Sequence, residues 1–167
     1  MDFARRSGTL LLVAAWLGVF GAVWWWFDGW ERDQSNPNRT LAATAGEVVL
    51  ERNRAGHYVA DGEINGERVT FLVDTGATSV ALPMSMAKRL GLELGAAVTV
   101  QTANGPKVAY QTRLRRVRLG GIELADVPAI ASEGMEGAGV LLGMSFLRHL
   151  DFAQRDGRLV LSPPRRP

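Results

Sequence analysis

The sequence predicts an all-β domain with one or two short helices, preceded by one transmembrane helix. Three observations carry this. An uninterrupted apolar run extends from Leu10 to Phe27. Short segments that alternate apolar with polar residues fill the chain from Gly46 onward. Asn65-Gly66 and Asn104-Gly105 each stand between two such segments, where Asn-Gly favours a tight hairpin turn. Composition narrows the class further. With 19 Lys and Arg against 17 Asp and Glu the net charge is +2, so the balance does not point to a nucleic-acid partner. Cysteine is absent, which excludes disulfides and thiol chemistry and leaves the redox compartment open.

Residues 1–9 form a short N-terminus with Arg5 and Arg6 ahead of the apolar run. At about 1.5 Å per residue, the run over residues 10–27 makes about 27 Å of helix, near the thickness of a bilayer core. Trp24, Trp25, Trp26 and Trp30 stand at its far end, where indole rings favour the headgroup region. That bulky exit offers no small-residue cleavage site, and Ala43-Thr44-Ala45 lies too far downstream, so an uncleaved anchor is expected rather than a signal peptide. Arg5 and Arg6 precede the span, whereas Asp28, Glu31 and Asp33 surround Arg32 after it. The N-terminus is therefore expected in the cytoplasm and the domain outside it, in the periplasm of a Gram-negative cell, with a single pass through the inner membrane. Residues 28–45, polar and without an apolar period, read as a linker.

The domain is expected over residues 46–162, enough for one compact core, with 163–167 as a tail. Glu47 to Arg52 and His57 to Ile64 read as strands, and Glu67 to Val73 returns from the Asn65-Gly66 turn. Met84 to Leu90 shows helical spacing and stops at Gly91. Val98 to Gln101 and Lys107 to Thr112 form a second hairpin with its tip at Asn104-Gly105. Arg113 to Leu119 and Ile122 to Ile130 flank Gly120-Gly121 as another strand pair. Glu133 to Gly139 reads as a Gly-rich loop, Met144 to Leu150 as a short helix, and Arg158 to Leu161 as a last strand.

Within this frame one stretch carries chemistry. Phe71, Leu72 and Val73 run as a buried strand into Asp74, and Gly76 supplies the freedom to turn, which leaves a carboxylate on a tight loop at the end of a core strand. Downstream, Val140-Leu141-Leu142-Gly143 ends an apolar run in a glycine that lets its backbone pass close beside another loop. The pairing of apolar-Asp-Thr-Gly-Ala with apolar-apolar-Gly resembles the retropepsin-like aspartic proteases, and the tracts Leu72 to Leu82 and Leu141 to Leu147 resemble their membrane-anchored bacterial branch. The resemblance covers roughly Gly56 to Leu161 and implies a retropepsin-like half-barrel. It also implies an aspartic endopeptidase that hydrolyses peptide bonds in exported or membrane proteins, without metal or organic cofactor.

Hydrolysis by such a site needs two carboxyl groups sharing one proton, so that one acts as base and the other as acid. Asp61-Gly62, Asp126-Val127 and Asp156-Gly157 lack the apolar strand and the Thr, so the second carboxylate is expected from another copy of the chain, in a homodimer with one Asp74 per subunit. The resemblance implies that Thr75 bonds across to the partner's loop, that Gly76 offers its N–H to the carboxylate, and that Gly143 passes beneath the Asp loop. It further implies that Thr102, Ala103, Asn104 and Gly105 form a flap over the substrate. Ala77 stands where pepsin-like sites carry a hydroxyl donor, which implies a less acidic dyad and a pH optimum roughly between 4 and 7. The competing expectation is a dimeric peptide-binding or assembly domain of the same fold without proteolysis; a third is self-processing at the linker.

Other residues read as structural. His57 and His149 match no metal spacing. Arg113, Arg115, Arg116 and Arg118 read as a solvated strand face. Ser79 and Ser145 lack a His and acid constellation, so a serine hydrolase is not expected.

Overall fold

The computed structural model describes residues 16–25, 34–41, 46–102, 105–135 and 139–164. It divides into two units, Met1–Ser35 and Asn36–Pro167. In the first, residues 16–25 form a helix, α1, whose Trp16, Leu17, Val19, Phe20, Val23, Trp24 and Trp25 are all exposed. Residues 10–15 and 26–27 of the expected span lie outside the described residues. Among those described, no helix is long and apolar enough to cross a membrane.

Among the described residues the second unit contains ten strands and two short helices. These are β1 (Val48–Glu51), β2 (Val59–Ile64), β3 (Glu67–Val73), β4 (Val80–Pro83), α2 (Met84–Arg89), β5 (Ala97–Thr102) and β6 (Gly105–Leu119). They are followed by β7 (Ile122–Ser132), β8 (Val140–Leu142), α3 (Met144–Leu147), β9 (Asp151–Arg155) and β10 (Arg158–Ser162). Seven strands form one sheet in the order β2-β3-β8-β4-β7-β6-β5, and a further pairing of β2 with β6 closes it into a barrel with β5 outside the ring. The other three form a small sheet, β1-β10-β9.

Local sequence explains the hairpins. Asn65 and Gly66 both take positive φ, 54° and 89°, the primed turn whose twist matches that of β2 and β3. Asp156 and Gly157 do the same between β9 and β10, with φ of 49° and 78°. The core is aliphatic and aromatic: Phe71, Phe146, Leu50, Ile64, Leu82, Leu114 and Leu142 are fully buried, each stabilising the fold by roughly 1.5–3 kcal/mol.

Several expectations are corrected. Lys107 to Thr112 and Arg113 to Leu119 are one strand, β6, and not two. Arg115 and Arg116 are both exposed between buried Leu114 and Val117, so the inward face changes phase there. The strand thereby serves β5 with its first half and β2 with its last residues. The expected helix over Met144 to Leu150 ends at Leu147, and the last strand is joined by β9, which the sequence reading did not contain. Within Glu133 to Gly139, Glu133–Met135 form a 3-10 turn, and residues 136–138 lie outside the described residues.

The linker is corrected too. Asn36 and Asn38 are buried, at 7% and 5% exposure, and Asn38 bridges in parallel to Ala60 of β2. Residues 36–41 belong to the folded domain; the other residues of 28–45 are 28–33 and 42–45, outside the described residues, and 34–35 in the first unit.

The arginine face is solvated, as its alternation predicts. Arg113 pairs with Asp126, Arg116 with Glu123 and Arg118 with Glu63. Hydrogen bonds from Arg113 hold the Asp126 carboxyl below its usual range. Such exposed pairs contribute little to stability.

Candidate active site

The Asp loop is shaped by two parallel strands. β3 runs alongside β8, with Val73 opposite Leu142, and the Asp74 N–H continues the ladder by donating to the Leu142 carbonyl at 3.2 Å. The chain then turns: Ala77 N–H donates to the Asp74 carbonyl at 3.3 Å, and Gly76 N–H donates to Asp74 Oδ1 at 2.8 Å. A backbone donor aimed at a carboxylate oxygen fixes the side-chain rotamer. Among the described residues the other carboxylate oxygen has no hydrogen-bond partner, and neither has the exposed hydroxyl of Thr75.

Gly76 owes its place to room, which corrects the expectation of a special turn conformation. Its φ is not in the left-handed region; instead an added Cβ would stand 3.2 Å from Asp74 Oδ1. Gly143 is more constrained. An added Cβ would lie 2.6 Å from the Ala77 carbonyl oxygen and 2.8 Å from the Ser79 carbonyl carbon, with the Ser79 oxygen closer still. Beyond Gly143, the N–H groups of Met144 and Ser145 donate to the carbonyls of Ala77 and Thr78, at 2.8 and 3.0 Å. The start of α3 is thus stitched to the underside of the Asp loop.

Residues 60–149, more than half of the chain, match the family of gag-polyprotein putative aspartyl proteases. The chain belongs to that family. A retropepsin-like aspartic protease from Rickettsia conorii, solved by crystallography, superimposes with a TM-score of 0.61 at 33% identity, over 70% of this chain and 99% of that one. Two curated proteins are also similar. One, from Sinorhizobium sp and described as an uncharacterized protein in the cobV 5' region, is 38% identical over 112 residues, 65% of this chain and 48% of its own length. The other, uncharacterized protein RP867 of Rickettsia prowazekii, is 30% identical over 132 residues, 75% of this chain and 54% of its own. The chain thus spans about half the length of the curated relatives it matches. The fold is that of the retropepsin-like aspartic proteases.

Within this family frame, hydrogen bonds and close contacts join Asp74, Gly76, Ala77 and Gly143 into one unit. The residues expected to form a flap lie on the hairpin of β5 and β6, β5 being the strand outside the ring. Thr102 pairs with Gly105, and its Oγ1 donates to the Gly105 carbonyl at 2.7 Å. Gly105 therefore lies in the ladder rather than at the tip, and Ala103 and Asn104 lie outside the described residues. His57 and His149 are both exposed, and no group of three or more metal-binding side chains occurs among the described residues.

The sequence reading missed Ser145. This side chain is buried; its Oγ accepts the Val80 N–H at 2.8 Å and donates to the Pro128 carbonyl at 2.7 Å. It therefore ties the end of the Asp loop to β7. Ser145→Ala leaves the Val80 N–H and the Pro128 carbonyl without that partner, and the expected loss of stability is roughly 1–3 kcal/mol. A urea midpoint that does not move would show that Ser145 is no strut.

Proposed function

We propose that this family member is a membrane-anchored aspartic endopeptidase, active as a homodimer that shares one Asp74 from each subunit. The observation that carries this reading is an Asp74 carboxylate held by the Gly76 N–H through one oxygen, with its other oxygen and the neighbouring Thr75 hydroxyl unpartnered among the described residues. That is the expected form of half a catalytic dyad, and the chain contains a single Asp-Thr-Gly.

In the paired site one carboxylate takes a proton from water as the water oxygen bonds to the peptide carbonyl carbon. The other carboxyl gives its proton to the carbonyl oxygen. The tetrahedral species then collapses: the C–N bond breaks, the amine nitrogen receives a proton, and a new carboxyl and a free amine leave. The substrate is an extended polypeptide lying beneath the flap.

Anchoring is supported by the apolar run Leu10 to Phe27 and by α1, which exposes apolar residues around its circumference, as a lipid-facing helix does. The basic residues before the run and the acidic ones after it favour a cytoplasmic N-terminus and a protease domain beyond the inner membrane, acting on exported or membrane proteins.

The test is cleavage of a diverse peptide library over a range of protein concentrations and pH. The rate per subunit should rise with concentration and level off where sedimentation shows the dimer to be complete. The optimum should fall roughly between pH 4 and 7, because Ala77 provides no hydroxyl to stabilise the ionised dyad. A profile peaking near pH 2 would contradict this account of Ala77. No cleavage by a folded dimer would turn the reading to a peptide-binding domain.

A further inference from the structure

The stretch around Asn36 to Asn38 is bound more tightly than any tether needs. Asn38 Nδ2 donates to the carbonyls of Glu51 and Val59, at 2.9 and 2.7 Å, while its Oδ1 accepts the Glu51 N–H at 2.8 Å. The Asn38 backbone carbonyl accepts the Asp61 N–H at 3.3 Å. Asn36 Nδ2 donates to Asp61 Oδ1 at 2.7 Å, an oxygen that also accepts the Thr70 hydroxyl, and Asn36 Oδ1 accepts the Asn38 N–H. Leu41 packs against the core just beyond. Two side chains, both nearly buried, thus lash the incoming chain to β1 and β2.

The strap sits close to the catalytic strand. β2 is the neighbour of β3, with Asp61 opposite Thr70 and Val59 opposite Leu72. Thr70 precedes Asp74 by four residues, about 13 Å at the rise of a strand, and one strand spacing adds about 5 Å.

We propose that this strap shortens the tether and restricts the protease to peptide bonds in membrane-proximal segments, such as the stalks and short loops of membrane proteins. This rests on the anchored-protease reading. The apolar run ends at Phe27 and the docked segment begins at Asn36, so the chain between them is residues 28–35. Eight residues reach at most about 29 Å, fully extended. A tether that remained free through residue 45 would reach about 65 Å. With the strap docked, Asp74 stays within about 50 Å of the bilayer even at full extension. A substrate beyond that distance meets an effective concentration near zero, whereas one beside the headgroups meets a high one.

The experiment uses the full chain reconstituted in phosphatidylcholine vesicles. Its probes are random peptide segments carried on a membrane-spanning helix, placed either next to the headgroups or behind a rigid helical spacer of about 60 Å. The near segments should be cleaved at least about tenfold faster. Inserting about twenty Gly and Ser residues after Asp33 should lower the near-to-far ratio at least about threefold. The same insert within residues 42–45, behind the strap, should leave the ratio intact, and adding Asn38→Ala to it should lower the ratio as the insert after Asp33 does. Cleavage of free peptides in detergent checks that each variant is folded.

Equal cleavage of near and far segments by the vesicle-bound wild type would overturn this inference alone, as would two inserts that act alike. A protein that fails to float with vesicles overturns the anchor and this inference with it. Vesicle-bound protein that cuts no peptide in any setting overturns the protease reading and this inference together.

Discussion

Asp74→Asn should lower peptide hydrolysis by at least about 10³-fold while leaving the fold and the pairing of subunits intact. The amide is nearly isosteric with the carboxylate, and its oxygen can still accept the Gly76 N–H that now fixes Asp74 Oδ1. What it cannot do is take a proton from water or return one. Because Asp74 supplies both halves of the proposed dyad, one substitution removes base and acid together. Mixing experiments sharpen the test. If equal amounts of wild type and Asp74→Asn exchange subunits freely, only wild-type pairs carry two carboxyls, and the rate should fall to about one quarter. Were each chain complete by itself, it would fall only to about one half. Matching unfolding curves for the two proteins show that the loss is chemical. Full activity in the Asn variant would end the aspartic-protease reading.

Gly143→Ala should be strongly destabilising. The added carbon would stand 2.6 Å from the Ala77 carbonyl oxygen and 2.8 Å from the Ser79 carbonyl carbon, both of them backbone atoms. No rotamer relieves such a contact, since a Cβ has none and the neighbours are pinned by the N–H groups of Met144 and Ser145. The expected cost is about 3–4 kcal/mol, at the upper end for overpacking, in a fold whose whole stability is about 5–15 kcal/mol. Any protein that remains folded should have its Asp loop displaced, and a shift near 1 Å costs about 10²-fold in rate. Urea unfolding measures the first effect and peptide cleavage the second. A variant within about 0.5 kcal/mol of wild type would mean that the two loops separate easily.

The parts of this fold that the sequence made legible are those specified by neighbours along the chain. Asn65-Gly66 reveals its hairpin because both residues tolerate positive φ, and Phe71 to Val73 reveal a buried strand because nothing polar interrupts them. Val140 to Gly143 were legible for the same reason, as an apolar strand ending in a residue without a side chain. What stayed hidden depends on partners distant in sequence. Ser145 looks like any helix serine until its hydroxyl meets Val80, 65 residues away, and Pro128, 17 away. Asn36 and Asn38 lie in a polar stretch with no apolar period, and only the carbonyls of Glu51 and Val59 turn Asn38 into an anchor. β9 is exposed at every position, so it has no alternation to betray it; β10 and the Asp156-Gly157 turn define it. That dipeptide is itself a turn signal of the same kind as Asn65-Gly66.

The parallel pairing of β3 with β8 also sets a timetable. A ribosome delivers Asp74, Thr75 and Gly76 well before the Leu142 carbonyl, Gly143 and the Ser145 hydroxyl that shape their loop. Until then the carboxylate belongs to an unbraced turn, and a nascent or truncated chain carries the reactive residue without the geometry to use it. Synthesis through Ser145 is thus a precondition of the loop's shape.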